Sequence, residues 1–363
     1  MKIAISKATL DDEQDLAAII NHSSQATIFH TREWNKMITK EFGIPSRRSG
    51  ISASLQHHTL IARNSLAIPI GMYTFFVISA PPKRDFRFAT TGSFNRIVSP
   101  FRDTDSIYGG PIVVDGETEE VIRLLITGAE KYISQRVEYY QILPPPRYPI
   151  KVFKQVHYRC RNLLTSIIDL RGTEEDLWHK IDSKRRNLIR KAIANKIKVI
   201  CPVSDFIEAY YPMLLEVFDR AGKKPFPKSY YQCVLETPLG WVKPLLALHN
   251  NIPIAGAIFL CFKDTVYYWS GASLKDYRHL APNDLIQWEI IKWANQNNYK
   301  YYDLLIVEPE RLPQIAHFKL GFGGELVPIY EAKRYTTLGQ AMRGINFIKS
   351  KIQNPKEVRP QSK

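Results

Sequence analysis

The sequence predicts an α/β (α+β) chain of two similar domains, each a mixed central sheet flanked by helices. Three observations carry this reading. At 363 residues the chain exceeds what one ordinary core organises. A stretch of the first half returns in the second at a constant offset. A related run of strand and helix signals then follows each copy. An apolar fraction of 45%, with 12% aromatic residues, excludes a disordered chain.

The repeat comes first because it orders the rest. "TLIARNSLAIPIGMYTFF" begins at Thr59 and "PLLALHNNIPIAGAIFLC" at Pro244, and they align without a gap at an offset of 185. Leu60 falls on Leu245, Ala62 on Ala247 and Gly71 on Gly256. Each copy reads as strand, polar turn and a longer apolar strand, so a duplicated domain is expected. In the first half a helix around Trp34 precedes the hairpin. "YGGPIVVDGETEEVIRLLITGAEKYI" and the strand "VEYYQIL" follow it, and "PPPRYPIK" marks the changeover. The second half opens with two helices, "EEDLWHKIDSKRRNLIRKAIANK" and "FIEAYYPMLLEVFDRAG". The helix over 177–195 is expected to turn Leu177, Ile181, Leu188 and Ala192 inward, with Lys180, Lys184 and Lys191 sharing another face. After the second hairpin come a strand, "DTVYYWSGASL", and a helix, "PNDLIQWEIIKWANQNN", opened by Pro282 and Asn283. A buried strand, "YKYYDLLIV", a polar loop and "HFKLGFGGELVPIY" complete it. In this last stretch Lys319 stands between a strand-like apolar run and a glycine cluster. The expected division is 1–158, 159–335 and a basic helical tail, 336–363.

The net charge of +15 is unevenly placed. Residues 1–150 hold 17 Lys+Arg against 15 Asp+Glu, and residues 151–363 hold 33 against 20. Two segments, 180–198 and 333–363, each carry eight basic residues and one acid. Such clusters attract polyanions such as a nucleoside diphosphate, RNA or an anionic membrane surface, or else form solvated helix faces. In the tail, Leu338, Met342, Ile345, Ile348 and Ile352 make an apolar stripe flanked by Arg343, Lys349 and Lys351, up to Pro355. Packing of that stripe on the second domain is preferred to a membrane-surface role.

Several chemistries find no support. Cys160, Cys201, Cys233 and Cys261 form no CxxC, and the nine histidines form no HExxH, so no metal is expected. There is no GxSxG elbow, and the glycines at 321, 323 and 324 lack the dinucleotide-binding context. The N-terminus turns acidic by position 11 and does not resemble a signal peptide. A reduced, cytoplasmic monomer without a DNA partner is expected, with peripheral contact at the inner face of the membrane as an option.

The order of strands and helices resembles that of the acyl-CoA N-acyltransferase (GNAT) domain. More specifically, "LWHKIDSKRRNLIRKA", "VYYWSGASL", "APNDLIQWEIIKWA", "YYDLL" and "HFKLGFGGE" resemble the FemAB family in order and spacing. "FHTREWNKMI" and "YGGPIVV" resemble pieces of its first domain. The family consists of tandem GNAT-like peptidyltransferases acting on peptidoglycan precursors, together with FemAB-like relatives associated with surface polysaccharides. The resemblance implies a transferase that moves an aminoacyl or acyl group onto an amine of an envelope precursor, a peptidoglycan peptide or a surface glycan. It implies Lys319 as the cation that stabilises the oxyanion, with Phe318 excluding water. That role is sound chemistry, because a fixed cation gains most as negative charge develops. It also implies substrate contacts from Trp34, Asp303, Lys184, Arg186 and Arg278, and from a basic loop holding Lys223, Lys224 and Lys228.

Two departures from the family, and one from the usual GNAT pattern, qualify this. Four residues beyond Trp34 stands Ile38 instead of a lysine, with Lys36 and Lys40 nearby on different helix faces. "QILPPP" lacks an acid that several relatives carry. "KDYRHLAPNDL" stands where a glycine-rich pyrophosphate loop would, and Pro282 removes a donor. The last favours charged tRNA over acyl-CoA as donor, with no bound cofactor. An acyl-CoA-dependent acylation of a sugar amine, and a non-catalytic RNA- or membrane-binding protein, are the alternatives.

Overall fold

A computed structural model describes residues 2–43, 54–80, 93–101, 106–202, 204–238 and 240–353, with only the backbone of 346–353. Both hairpins form. In the first half β1 (Ala4–Lys7), β2 (Ser54–Arg63), β3 (Pro69–Ala80) and β4 (Phe94–Ser99) run antiparallel in that order. The short β5 (Gly110–Val113) also pairs with β3. The next strand, β6 (Val137–Ile142), lies parallel to β4 after the crossover helix α3 (Glu119–Tyr132). Helices α1 (Glu13–Asn21) and α2 (Arg32–Phe42) precede the hairpin. The short α4 (Lys151–Gln155) leads out of this half.

The second half repeats the plan. After β7 (Arg159–Asp169) come α5 (Glu174–Lys180), α6 (Ser183–Ala194), β8 (Lys198–Ile200), α7 (Phe206–Arg220) and α8 (Lys228–Leu235). Next, β9 (Val242–His249), β10 (Ile252–Phe262) and β11 (Thr265–Ser273) form an antiparallel meander. The crossover helix α9 (Pro282–Gln296) then returns the chain to β12 (Tyr301–Val307), parallel to β11. The last elements are α10 (Pro313–Leu320), β13 (Glu325–Tyr335) and α11 (Thr337–Gln353).

One 13-stranded sheet runs through both halves. The strand that joins them is β13, which pairs antiparallel with β7 on one side and β6 on the other. Long strands such as β10 are apolar and buried for most of their length because helices cover both faces. A shared core of Phe29, Trp34, Tyr108, Tyr210, Tyr230 and Trp269 fills the space between the halves.

Three expectations change. The helix expected over 177–195 is two helices, broken at Ile181 and Asp182, so Lys180 closes α5 while Lys184 and Lys191 lie on α6. Thr173 starts the first of them with a capping box to Asp176. The inward residues of α6 are Arg185, Ile189 and Ala192, and Leu188 is only half-buried. Lys36 and Lys40 sit one turn apart on α2, both exposed, whereas Ile38 is buried. The tail helix packs at its start, mainly against β6 of the first half rather than on the second domain as expected. Thr336 donates to the Val137 carbonyl, and a Cβ on Gly339 would sit 2.0 Å from the Glu138 carbonyl oxygen. Ile345 is 42% exposed, and the calls on Ile348, Lys349, Lys351, Ile352 and Pro355 lie outside the described side chains. Among the described residues no helix is long and apolar enough to cross a membrane.

Candidate active site

The site begins with an irregularity in β12. Its parallel pairing with β11 covers Tyr301, Tyr302 and Asp303, opposite Thr265, Val266 and Tyr267. On the other side, against β7, the register slips between Asp303 and Ile306. Leu305, inside the slip, has a φ of 60°, a left-handed conformation that a branched side chain rarely adopts. Both ends of this bulge are held by polar side chains. The Asp303 Oδ1 accepts from Leu305 N at 2.8 Å, and the Lys319 Nζ donates to the Ile306 carbonyl at 2.9 Å. Bulges of this kind re-aim side chains beside active sites.

Asp303 is 2% exposed and accepts from three donors, two on Oδ1 and one on Oδ2. The Thr165 hydroxyl donates to Oδ1 at 2.6 Å, and the Tyr108 hydroxyl to Oδ2 at 2.8 Å. Burial pushes its pKa above the usual carboxylate range, opposed by these hydrogen bonds and by the charge of Lys319. Tyr108 comes from the first half, so the hydrogen bond to Asp303 crosses between the halves. Its ring lies 6.2 Å from Phe29 and 6.5 Å from Tyr267.

Above Asp303 opens a pocket of about 530 Å³. First-half residues Gln25, Thr27, Tyr108 and Arg147 form one wall, and second-half residues Lys263, Tyr267 and Tyr301 help form the other. The Lys263 Nζ donates to the Ser23 carbonyl at 2.7 Å and the Asn21 carbonyl at 3.2 Å, fastening the walls together. Its pKa is lowered by burial, partly offset by Asp115 and Asp264.

Lys319 is not at a strand edge, as the sequence suggests, but in the last turn of α10. Pro313 starts that helix, and the run reads as strand-like only because it is short and apolar. Burial lowers the Lys319 pKa to about 8, with Asp303 and Glu308 pulling it back up. The ammonium therefore stays mostly protonated near pH 7. It lies behind Asp303 rather than in the pocket wall. Phe318 packs on Phe322 and under the Arg185 guanidinium, whose Cζ is 5.0 Å from its ring centre. The glycines are explained here. A Cβ on Gly321 would meet Arg185 Cγ at 2.7 Å, and Gly323, with φ 82°, sits against the Lys180 carbonyl.

The other expected contacts are scattered. Trp34 is 1% exposed; its Nε1 donates to Ser106 Oγ at 2.9 Å and its ring meets Trp269 edge-on. It belongs to the shared core, not the wall. Lys184, Lys223, Lys224 and Arg278 are exposed, and half-buried Arg186 lies 3.3 Å from His179. Lys228 starts α8, not a loop, and pairs with Glu208. None of these lines the pocket. Sequence reading missed Tyr108, Thr165, Lys263 and Arg185 as site residues. Tyr108 was open to discovery because it heads "YGGPIVV"; Thr165 and Lys263 carry no local signal.

The N-terminus of α9 is also filled from within. Ala281 precedes it with φ 57°, Pro282 lacks an N–H, and the first-turn Asp284 carboxylate binds Arg185 at 2.9 Å. An anion placed there meets a resident carboxylate.

Comparison with known proteins agrees with this architecture. The model of the Acetyltransferase (GNAT) domain matches residues 180–319. Over 60 residues the chain is 42% identical to a Lipid II:glycine glycyltransferase of Staphylococcus haemolyticus, a match spanning 16% of this chain and 14% of that enzyme. The crystal structure of FemX superposes over 94% of this chain and 99% of its own, with a TM-score of 0.69 at 13% identity. A tandem GNAT protein from the clavulanic acid biosynthesis pathway covers 92% and 98%, at a TM-score of 0.54 and 9% identity. The fold is the GNAT type, with a GNAT domain matched in the second half.

Proposed function

We propose that this FemAB-like chain is an acyltransferase that moves an aminoacyl group from charged tRNA onto an amine of a peptidoglycan precursor. The observation that carries the reading is the buried Asp303 carboxylate at the base of a pocket walled by both halves, with the Lys319 ammonium behind it. The glycyltransferase match supports the acceptor class. The carboxylate at the start of α9 supports a donor without a pyrophosphate bound there.

Each group has a task. The acceptor amine reaches the site protonated and must lose a proton before it attacks the ester carbonyl. Asp303, with its raised pKa, takes that proton as general base. Attack forms the C–N bond and places negative charge on the carbonyl oxygen. Lys319 is held on the Ile306 carbonyl and does not line the pocket, so its charge stabilises that oxygen as a fixed field from behind Asp303 rather than by a hydrogen bond. Collapse breaks the C–O bond and expels the tRNA ribose oxygen, which takes the proton that the attacking nitrogen gives up as it becomes the amide. Tyr108 and Thr165 hold Asp303 in place. Arg147 is a wall cation that can meet a phosphate of the precursor, while Lys263 is engaged with the Asn21 and Ser23 carbonyls.

The test offers the purified protein two donor and acceptor pairs, radiolabelled glycyl-tRNA with lipid II and acetyl-CoA with an amino sugar. Transfer from the tRNA alone is expected. Turnover with acetyl-CoA, or with neither donor, overturns the proposal.

A further inference from the structure

A second concave site lies where the two halves join, at the start of α11. It encloses about 460 Å³, room for a headgroup or a small phosphorylated molecule. Arg159 on β7, Lys333 and Tyr335 on β13, and Gln340 and Arg343 on α11 line it, with His157 beside them. The β7–β13 register sets Lys333 directly opposite Arg159. Like charges facing each other across an antiparallel pair are destabilising. Arg343 adds a third cation from above, its Cζ 4.4 Å from the Tyr335 ring centre. Lys333 lies 3.7 Å from the ring centre of Tyr139 and 4.9 Å from that of Tyr335. Aromatic faces therefore hold these cations in place.

Neighbouring acids are engaged elsewhere. Glu331 accepts from Gln141 at 2.9 Å and pairs with Arg161 at 3.1 Å; Glu138 pairs with Arg96 at 2.8 Å. Arg334, one residue along β13, pairs with Glu130 at 2.6 Å. Among the described residues no carboxylate pairs with Arg159, Lys333 or Arg343. Two arginines and a lysine converging on one cavity, without a counter-charge, match an oxyanion with several acceptor atoms.

We propose that this cavity binds a phosphate group, with Arg159, Lys333 and Arg343 as its ligands. Two sources share that chemistry, a soluble phosphate compound and the headgroup of an anionic lipid. Exposed Ile345, two residues beyond Arg343 on α11, suits a bilayer. The inference stands apart from the transferase reading, because none of these residues lines the Asp303 pocket.

The experiment uses the full chain. Titration calorimetry with inorganic pyrophosphate reads the soluble source. Flotation on phosphatidylcholine vesicles, with and without phosphatidylglycerol, reads the lipid source. Saturable binding is expected in at least one arm. The triple variant Arg159→Gln, Lys333→Gln, Arg343→Gln should weaken it by roughly tenfold or more, since each charged hydrogen bond lost is substantial. Without ligand its Tm should stay level or rise, because the Arg159–Lys333 repulsion is gone. Should the triple variant fail to fold, Lys333→Gln alone should give a partial loss of binding without a fall in Tm. Absence of binding in both arms overturns the proposal, as does equal binding by the variants. Retention of single-stranded RNA with neither pyrophosphate nor anionic vesicles bound also overturns it.

Discussion

The two halves of the chain carry the same strand twice, and they differ at one position that matters. In the first half it reads "YYQIL", residues 139–143, and in the second "YYDLL", residues 301–305. Each strand follows a crossover helix and lies parallel to the last strand of its meander. In the first copy the parallel pairing extends from Val137 to Ile142, and Leu143 N continues it with a 2.8 Å bond to the Ser99 carbonyl. The polar residue is Gln141, whose amide donates to Glu331 on β13. In the second copy the pairing stops at Asp303 and the strand bulges. The carboxylate accepts from the chain two residues on and from Tyr108 across the seam between the halves. The first copy spends its polar side chain on closing the sheet. The second bends its strand and presents a buried acid, and this difference is what localises the chemistry.

The sharpest way to break that contrast is Asp303→Asn. It keeps the shape and most acceptors but cannot take a proton, so turnover should fall by about 10²–10⁴-fold, the range for a general base. Single-turnover transfer with pre-bound substrates, measured beside Tm, checks it. A rate within a few-fold of the parent, in a folded protein, removes Asp303 from proton transfer.

Lys319→Met comes next, with an expected loss of about 10–10²-fold, below that of a donor touching the oxyanion because Lys319 does not line the pocket. It also strips the Ile306 carbonyl of its donor. A destabilisation of about 1–3 kcal/mol is therefore expected, read by denaturant unfolding. The pH dependence follows from the folded pKa of about 8 against 10.5 for the free side chain. A cationic catalyst is lost as pH rises through about 8, so activity should fall there. Stability moves the other way. Between about 8 and 10.5 the unfolded chain binds more protons than the folded one, so stability rises with pH in that window. In Lys319→Met both effects should vanish.

Tyr108→Phe tests the contact across the halves and should cost about tenfold, near the value of one hydrogen bond to a charged group. The Tyr108 hydrogen bond opposes the raised pKa of Asp303. Without it the carboxylate stays protonated to higher pH, and the acid limb of the rate profile should move upward. A tenfold loss with an unmoved limb would make Tyr108 a packing residue only.

Much of this frame was legible in the sequence because it rests on periodic signals. The repeated hairpin, the crossover helices and the acid in "YYDLL" are all local. The failures are equally physical. Arg185 reads as one member of a basic helical face, yet it turns inward because Asp284, 99 residues away, accepts from it at 2.9 Å. The helix break at Ile181 and Asp182 is set partly by Gly321, whose carbonyl accepts from Asp182 N at 3.0 Å. Lys319 was singled out by chemistry but placed in the wrong element. A single short helix between two strands offers too few turns for its period to show. The loop and surface lysines were gathered by charge, and charge alone carries no address.

The smallest effect belongs to the converse substitution, Gln141→Asp, which writes the acid of the second copy into the first. It should produce no gain in turnover. The first copy has its register slip earlier, between Val137 and Tyr139, and none at Gln141, which meets Glu331, a carboxylate, instead of donors like Thr165 and Tyr108. The new side chain loses the amide that donates to Glu331 and sets two acids near one another, with Arg161 beside Glu331 and Lys333 directly opposite position 141 as nearby cations. Because Arg161 is well exposed it screens only part of that repulsion. A cost of at most about 1 kcal/mol is expected, because Lys333 offsets part of the repulsion from Glu331. It should shrink as pH falls through the carboxylate range, where one of the two acids can take a proton. Denaturant melts at neutral pH and near pH 4 measure it. An equal cost at both values would mean that lost hydrogen bonding, not charge, separates the two copies at this position.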